Sequence, residues 1–241
     1  MKFLEDIALS RLNAFLGSVN VGDYVVLGQL EAYSCKLAGI DKKLSKSLDQ
    51  EVVTMMATSP SALSVSPVGP LTDSNSRKTL IYLILTLNHM YPDYDFSGLR
   101  GHHFTKEPGV LKVKDDIDSL LLESAKVYAD TIGAGAMPLS AELWKSIDEA
   151  IGIVDSDVYS YKAVVEGDPF CDDSNLWSFN YFFYNRKLKR ILYFSCRAVS
   201  KTANDDSNSD DDGDGDWDDR AGNNGGGVDD SFTVDDMEMD Y

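Results

Sequence analysis

Leu4, Ile7, Leu12, Phe15, Leu16 and Val19 recur at spacings of three and four, which predicts an amphipathic helix over 3–19 with one face on a core. Gly17 and Gly22 mark its end. The period then changes: DYVVLGQLEAYSCKL is β-branched and aromatic at first and alternates around Leu30, Ala32 and Ser34, a long strand with a bulge or bend at Gly28. SRKTLIYLILTLNHMY is apolar nearly all round between Leu80 and Leu87. A fully buried strand competes with a buried helix there; length favours the helix, with Asp73 or Ser76 as its cap. Val113, Ile117, Leu120, Leu121, Val127, Tyr128 and Ile132 predict a second amphipathic helix, closed by Gly133 and Gly135. A third is capped by Ser140, turns Leu143, Trp144, Ile147 and Ile151 inward and stops at Gly152. SDVYSYKAV reads as a short strand.

The most unusual pattern is LWSFNYFFYNRKLKRILYFSCR, residues 176–197. Two strand-like runs flank NRKLK, as in an antiparallel hairpin. Trp177, Phe179, Tyr181 and Phe183 fall on one face of the first strand and Phe182 and Tyr184 on the other, the signature of a central strand covered on both sides. The architecture expected is α+β: helices packed on an antiparallel sheet in a single globular domain, with 1–40 as its first part and 76–200 as its second. Between them, 41–75 holds three prolines in TSPSALSVSPVGPLTDSN and lacks periodicity, so it reads as a mobile regulatory linker with a short helix near Leu48–Met56. Residues 201–241 read as a disordered acidic tail.

Charge sharpens that division. From Ala203 to Tyr241 there are fifteen acidic residues against Arg220 alone, so the tail carries −14 of the formal −18 and leaves −4 on residues 1–202. A body so close to neutral argues against a general phosphate-binding surface and confines basic character to local patches. Cys35, Cys171 and Cys196 are widely spaced with no C-x-x-C, which fits reduced thiols in a cytosolic or nuclear protein. No apolar run reaches the ~18 residues of a membrane span, and MKFLEDIALSRL lacks the core of a signal peptide; no membrane partner is expected.

Catalytic signatures are thin. None of His89, His102 and His103 forms an H-x-x-x-H pair, and there is no G-x-S-x-G or Walker loop, so neither an enzyme, nor a cofactor, nor a metal site is expected. Asn208, Asp210, Asp212, Gly213, Asp216 and Asp219 imitate a calcium loop, but Asn replaces Asp at its first position and Asp replaces the bidentate Glu at its last. Two kinds of site remain. Arg186, Lys187, Lys189 and Arg190 crowd the hairpin tip as a partner-binding patch. Ser45 has Lys42 and Lys43 at the −3 and −2 positions, the pattern of a basophilic kinase substrate; Ser59 and Ser66 precede prolines, and Ser207 and Ser209 lie before aspartates, as weaker phosphorylation sites. The aromatic strand beside a basic tip also admits an alternative, an RNA-binding module that stacks bases, although the run does not match the K/R-G-F/Y-G/A-F pattern.

Several blocks together resemble one family. KFLE at the start, LEAYSCKLAG (30–39), SRKTLIYLILTLN (76–88), YPDYDFS (91–97), FTKEP (104–108), SDVYSY (156–161), DPF (168–170) and the long hairpin block are similar, in kind and order, to the Maf-one family of eukaryotic RNA polymerase III repressors. The resemblance covers roughly residues 1–200. It implies a globular domain without catalytic activity that binds RNA polymerase III near its clamp and initiation subunits and hinders engagement of the initiation factor TFIIIB, lowering tRNA and 5S rRNA synthesis. It also implies control by kinases of the protein kinase A and TOR type, with shuttling between nucleus and cytoplasm. On that reading, the acidic tail competes with DNA or TFIIIB for a basic polymerase surface.

Overall fold

The predicted hairpin is the centre of the molecule. In the computed structural model, which describes residues 1–58, 66–133, 135–162, 168–171 and 174–201, its strands β6 (Asn175–Asn185) and β7 (Arg190–Ser200) pair along almost their whole length. They join β1 (Lys2–Leu4), β2 (Val19–Asn20), β3 (Tyr24–Ser34), β4 (Phe104–Lys106) and β5 (Ser156–Tyr161) in a seven-stranded antiparallel sheet of order β1-β3-β7-β6-β5-β4, with β2 also on β3. The acidic tail expected over 201–241 lies, from 202 on, outside the described residues.

Helices cover both faces, as the two-sided aromatic strand requires. On one face α1 (Ile7–Leu16), α4 (Val110–Leu120), α5 (Leu122–Ile132) and α6 (Leu139–Ile151) bury Phe179, Phe183, Leu192 and Phe194. On the other, α2 (Gly39–Thr58) and α3 (Ser74–Met90) bury Phe182, Tyr184, Ile191 and Tyr193. Each such ring or aliphatic group contributes on the order of 1.5–3 kcal/mol by leaving water, so β6 and β7 are held by side chains as much as by their ladder. The α+β fold expected from the pattern is the one observed.

Local differences from the sequence reading have identifiable causes. The first helix is shorter than 3–19, because Lys2–Leu4 pairs with Ala32–Ser34 as an edge strand and Asp6 then starts α1 by accepting from the amides of Ala8 (2.9 Å) and Leu9 (3.0 Å). Asp6→Ala is expected to cost about 1 kcal/mol, measured as a lower urea midpoint at constant m-value; an unmoved midpoint would show that water caps the helix equally well. There is no bulge at Gly28, for β3 pairs with β7 without a break from Tyr24 to Ser34. Gly28 is needed for a close approach instead: a Cβ there would lie 3.1 Å from Cys196 Sγ and 3.2 Å from Leu16 Cβ. In β3, Leu30 falls between the stretches that β2 and β1 cover. Asn13 of α1 fills that gap, donating to the Leu30 carbonyl (2.8 Å) and accepting from its amide (2.7 Å).

The single helix expected over 113–132 is two, α4 and α5, which turn at Leu121. Ser140 does not cap α6, whose N-cap is Pro138; its hydroxyl donates to Asp118 (2.8 Å), which also accepts from the Trp144 indole (2.8 Å). α3 follows the reading, with Asp73 as the N-cap. The largest difference is α2, twenty residues long where a short helix near Leu48–Met56 was expected within the linker. Its apolar stripe is narrow, with Leu44, Leu48 and Val52 set against α3, and ion pairs complete its hold: Arg77 to Asp49 (2.7 Å) and Arg100 to Glu51. Such a stripe is nearly invisible in a segment rich in Ser, Thr and Lys.

Candidate partner-binding site

The tip of the β6–β7 hairpin spans residues 186–189, closed by the Asn185–Arg190 pair. Asn185 is buried and shapes it. Its side-chain oxygen accepts from the Leu188 amide (2.9 Å), while its nitrogen donates to the carbonyls of Ile151 (2.8 Å) and Gly152 (3.2 Å) at the end of α6. Lys189 adopts φ 52°, the only positive φ of a non-glycine among the described residues, and its carbonyl accepts from the Cys35 amide (2.9 Å). The turn is therefore tied both to a helix terminus and to the end of β3.

The four basic residues of this tip have different commitments. Arg190 donates to the Ala150 carbonyl (3.2 Å), where a cation also complements the negative end of α6. Arg186 reaches Asp157 (3.2 Å) and stands over the Tyr184 ring (5.9 Å). Lys187 meets Asp155 (2.6 Å), an exposed pair that contributes little to stability and is readily exchanged for another partner. Lys189 makes no ion pair among the described residues.

Two cations that the sequence reading did not single out join this tip. The register Ser34↔Arg190 carries the chain past the tip at Cys35 and Lys36, and the first turns of α3 bring Lys78 to the same place. Lys36, Lys78, Arg186 and Lys189 line one cleft of about 550 Å³ with Tyr82 and Tyr184, and among the described residues no carboxylate lines it. Burial pushes the Cys35 thiol in its wall up to about 12 and raises the Tyr82 and Tyr184 phenols, so these groups add no negative charge at neutral pH. No sequence signal joins positions 36, 78 and 186, because only the sheet register and the packing of α3 bring them together.

The candidate phosphorylation sites are scattered. Ser45 lies half-buried on α2 between exposed Lys43 and Lys46. Ser66 packs against Gly101, where a Cβ would collide with its hydroxyl. Ser59, Ser207 and Ser209 lie outside the described residues, as does the calcium-loop imitation. Among the described residues no three His, Cys, Asp or Glu side chains are grouped to hold a metal ion, and no helix is long and apolar enough to cross a membrane. The RNA-stacking alternative meets a physical obstacle: Phe179, Phe182, Phe183 and Tyr184 are buried in the two cores, which leaves this strand only the half-buried Trp177 and Tyr181 to offer to bases.

Comparison with known proteins bears on the family and the fold. The model of the Maf1 regulator family matches residues 26–195. The chain is 36% identical to a Dictyostelium discoideum protein named repressor of RNA polymerase III transcription, covering 86% of this chain and 88% of that one. It is 38% identical to a similarly named Schizosaccharomyces pombe protein, over 83% and 84% of the two chains. Crystal structures of citrus MAF1 superpose with TM-scores of 0.65 and 0.66 at 39% and 40% identity, each covering 80% of this chain and 99% of theirs. The family match runs from within β3 to within β7 and takes in the turn of the central hairpin and the cleft at its tip: the chain belongs to the Maf1 regulator family.

Proposed function

We propose that this protein represses transcription by RNA polymerase III, docking on the polymerase through its basic hairpin tip and hindering engagement of TFIIIB. The observation that carries the docking surface is the tip itself, a cluster of exposed cations fixed by Asn185 and Lys189 on a domain shared with proteins named as repressors of this polymerase. Basic rims of this kind steer association toward an acidic partner more than they set final affinity.

Phosphorylation at Ser45 would act from α2. A phosphate adds about −1.5 to −2 charges beside Lys42, Lys43 and Lys46 on this helix. A kinase reads an extended peptide, so α2 must open first. Its hold by Leu48, Val52 and a few ion pairs is of the kind that opens locally below the global unfolding free energy. The acidic tail is proposed to add competition for a basic polymerase surface, an effect that salt would screen.

The test is a pull-down of RNA polymerase III from nuclear extract with the purified protein, before and after protein kinase A treatment. Retention of the polymerase, weakened by phosphate and protected in Ser45→Ala, is the expected result. Arg186→Glu with Lys187→Glu should reduce retention several-fold without unfolding the domain, and a chain ending at Ser200 should repress less than the whole protein. Failure to retain polymerase refutes docking; retention indifferent to charge reversal moves the interface away from the tip.

A further inference from the structure

We infer that the cleft between the hairpin tip and α3 is a binding site for a phosphate group. Four cations, Lys36, Lys78, Arg186 and Lys189, converge on one concavity with no carboxylate in its lining among the described residues. Cations so gathered repel one another, and Lys36, Lys78 and Lys189 make no ion pair among the described residues to offset that repulsion. On a body whose formal charge outside the tail is −4, such a concentration is an exception to the average surface. An anion in the cleft would relieve it.

The chemistry of the lining selects among anions. Arg186 offers a planar fork suited to tetrahedral oxyanions, and the lysines supply mobile point charges around it. Tyr82 and Tyr184, whose phenols burial pushes up, stay protonated and bring no negative charge to oppose an oxyanion. The N-terminus of α3 plays no direct part, because its Asp73 cap already accepts from the Ser76 amide (3.2 Å). Asp157, which touches Arg186 at 3.2 Å, lies outside the lining and holds the guanidinium in place. At about 550 Å³ the cleft has room for a phosphate together with the group that bears it, whether a phosphorylated side chain of a peptide or a small phosphorylated compound.

This inference goes beyond the polymerase reading and does not depend on it. The experiment is an amide-resolved NMR titration of the whole protein with pyrophosphate, with O-phosphoserine in a short glycine-serine peptide, and with the same peptide unphosphorylated, all against sodium chloride at matched ionic strength. Saturable shifts of the Lys36, Lys78 and Lys189 amides with a phosphate probe, absent with chloride and with the unphosphorylated peptide, are expected. Lys36→Ala with Lys78→Ala, at two exposed positions without ion pairs among the described residues, should weaken that binding at least tenfold without lowering the thermal midpoint. Tighter binding of the phosphopeptide would identify the source as a modified protein segment, and tighter binding of pyrophosphate as a small compound. Shifts that fail to saturate, that chloride reproduces, or that persist undiminished in the double variant would overturn the site. Because the readout contains no polymerase, a failed pull-down leaves it standing, and its failure leaves the pull-down standing.

Discussion

Phe183→Ala is expected to lower the stability of the domain by about 3–5 kcal/mol, a large part of the 5–15 kcal/mol that a domain of this kind usually has. Phe183 is fully buried on β6, opposite Val158 of β5 and Leu192 of β7, and it meets the Trp144 ring of α6 edge-on at 6.2 Å between centroids. Removing the ring opens a void among residues fixed from three sides, by the sheet ladder on two and by the α6 indole, itself held by Asp118. Collapse into that void is therefore limited, and the upper half of the range applies. Leu188→Ala, at a tip residue 51% exposed, serves as the contrast and should cost under about 0.5 kcal/mol. Urea unfolding of both variants decides the matter. A loss under 1 kcal/mol for Phe183→Ala would mean that the ring is not a packing element and would restore the possibility that this strand stacks bases.

The same residues show how far the sequence carries the fold. Aromatics on both parities of 177–184 can be satisfied only by a strand with a layer on each side, so the central hairpin and the helices on both faces follow from periodicity and burial alone. Periodicity failed where contacts replace it. A break between α4 and α5 at Leu121 leaves the apolar spacing nearly intact, so two helices read as one. Ser140 matches a cap by type, but Asp118, distant in sequence, engages its hydroxyl. Gly28 resembles a bulge because a strand glycine usually marks one, whereas here it lets α1 and Cys196 approach β3. The site was legible in half: Arg186, Lys187, Lys189 and Arg190 are adjacent in sequence, but Lys36 and Lys78 reach the same cleft only through strand register and helix packing. Polarity alone could not show that Arg190 is occupied by a helix carbonyl while Lys189 makes no ion pair among the described residues.

Asn185→Ala is expected to cost about 2–4 kcal/mol and, unlike a core truncation, to act on the tip directly. Asn185 is 2% exposed and makes three hydrogen bonds to backbone groups. Alanine would leave the Ile151 carbonyl and the Leu188 amide without it, at roughly 1–3 kcal/mol for each group that finds no other partner, whereas the Gly152 carbonyl keeps the Asp155 amide (3.2 Å) and the Ser156 hydroxyl (2.9 Å). Water can reach the exposed tip and satisfy the Leu188 amide, which places the total below a simple sum. Helix-end carbonyls are orphan groups that a side chain must satisfy, and the close approach here leaves little room for a substitute: a Cβ at Gly152, whose φ is +66°, would lie 3.3 Å from the Asn185 side-chain nitrogen. Asn185→Asp separates the two roles of this residue. It keeps an acceptor for the Leu188 amide but turns a carboxylate toward two carbonyls, so it should be at least as destabilising as alanine at neutral pH. If instead the aspartate variant is near wild type, the contact to α6 is dispensable and the turn bond dominates. Hydrogen exchange at Leu188 and Lys189 should quicken in Asn185→Ala before the rest of the sheet responds. Phosphate-probe binding should weaken with it, because Arg186 and Lys189 lose the fixed turn that presents them to the cleft.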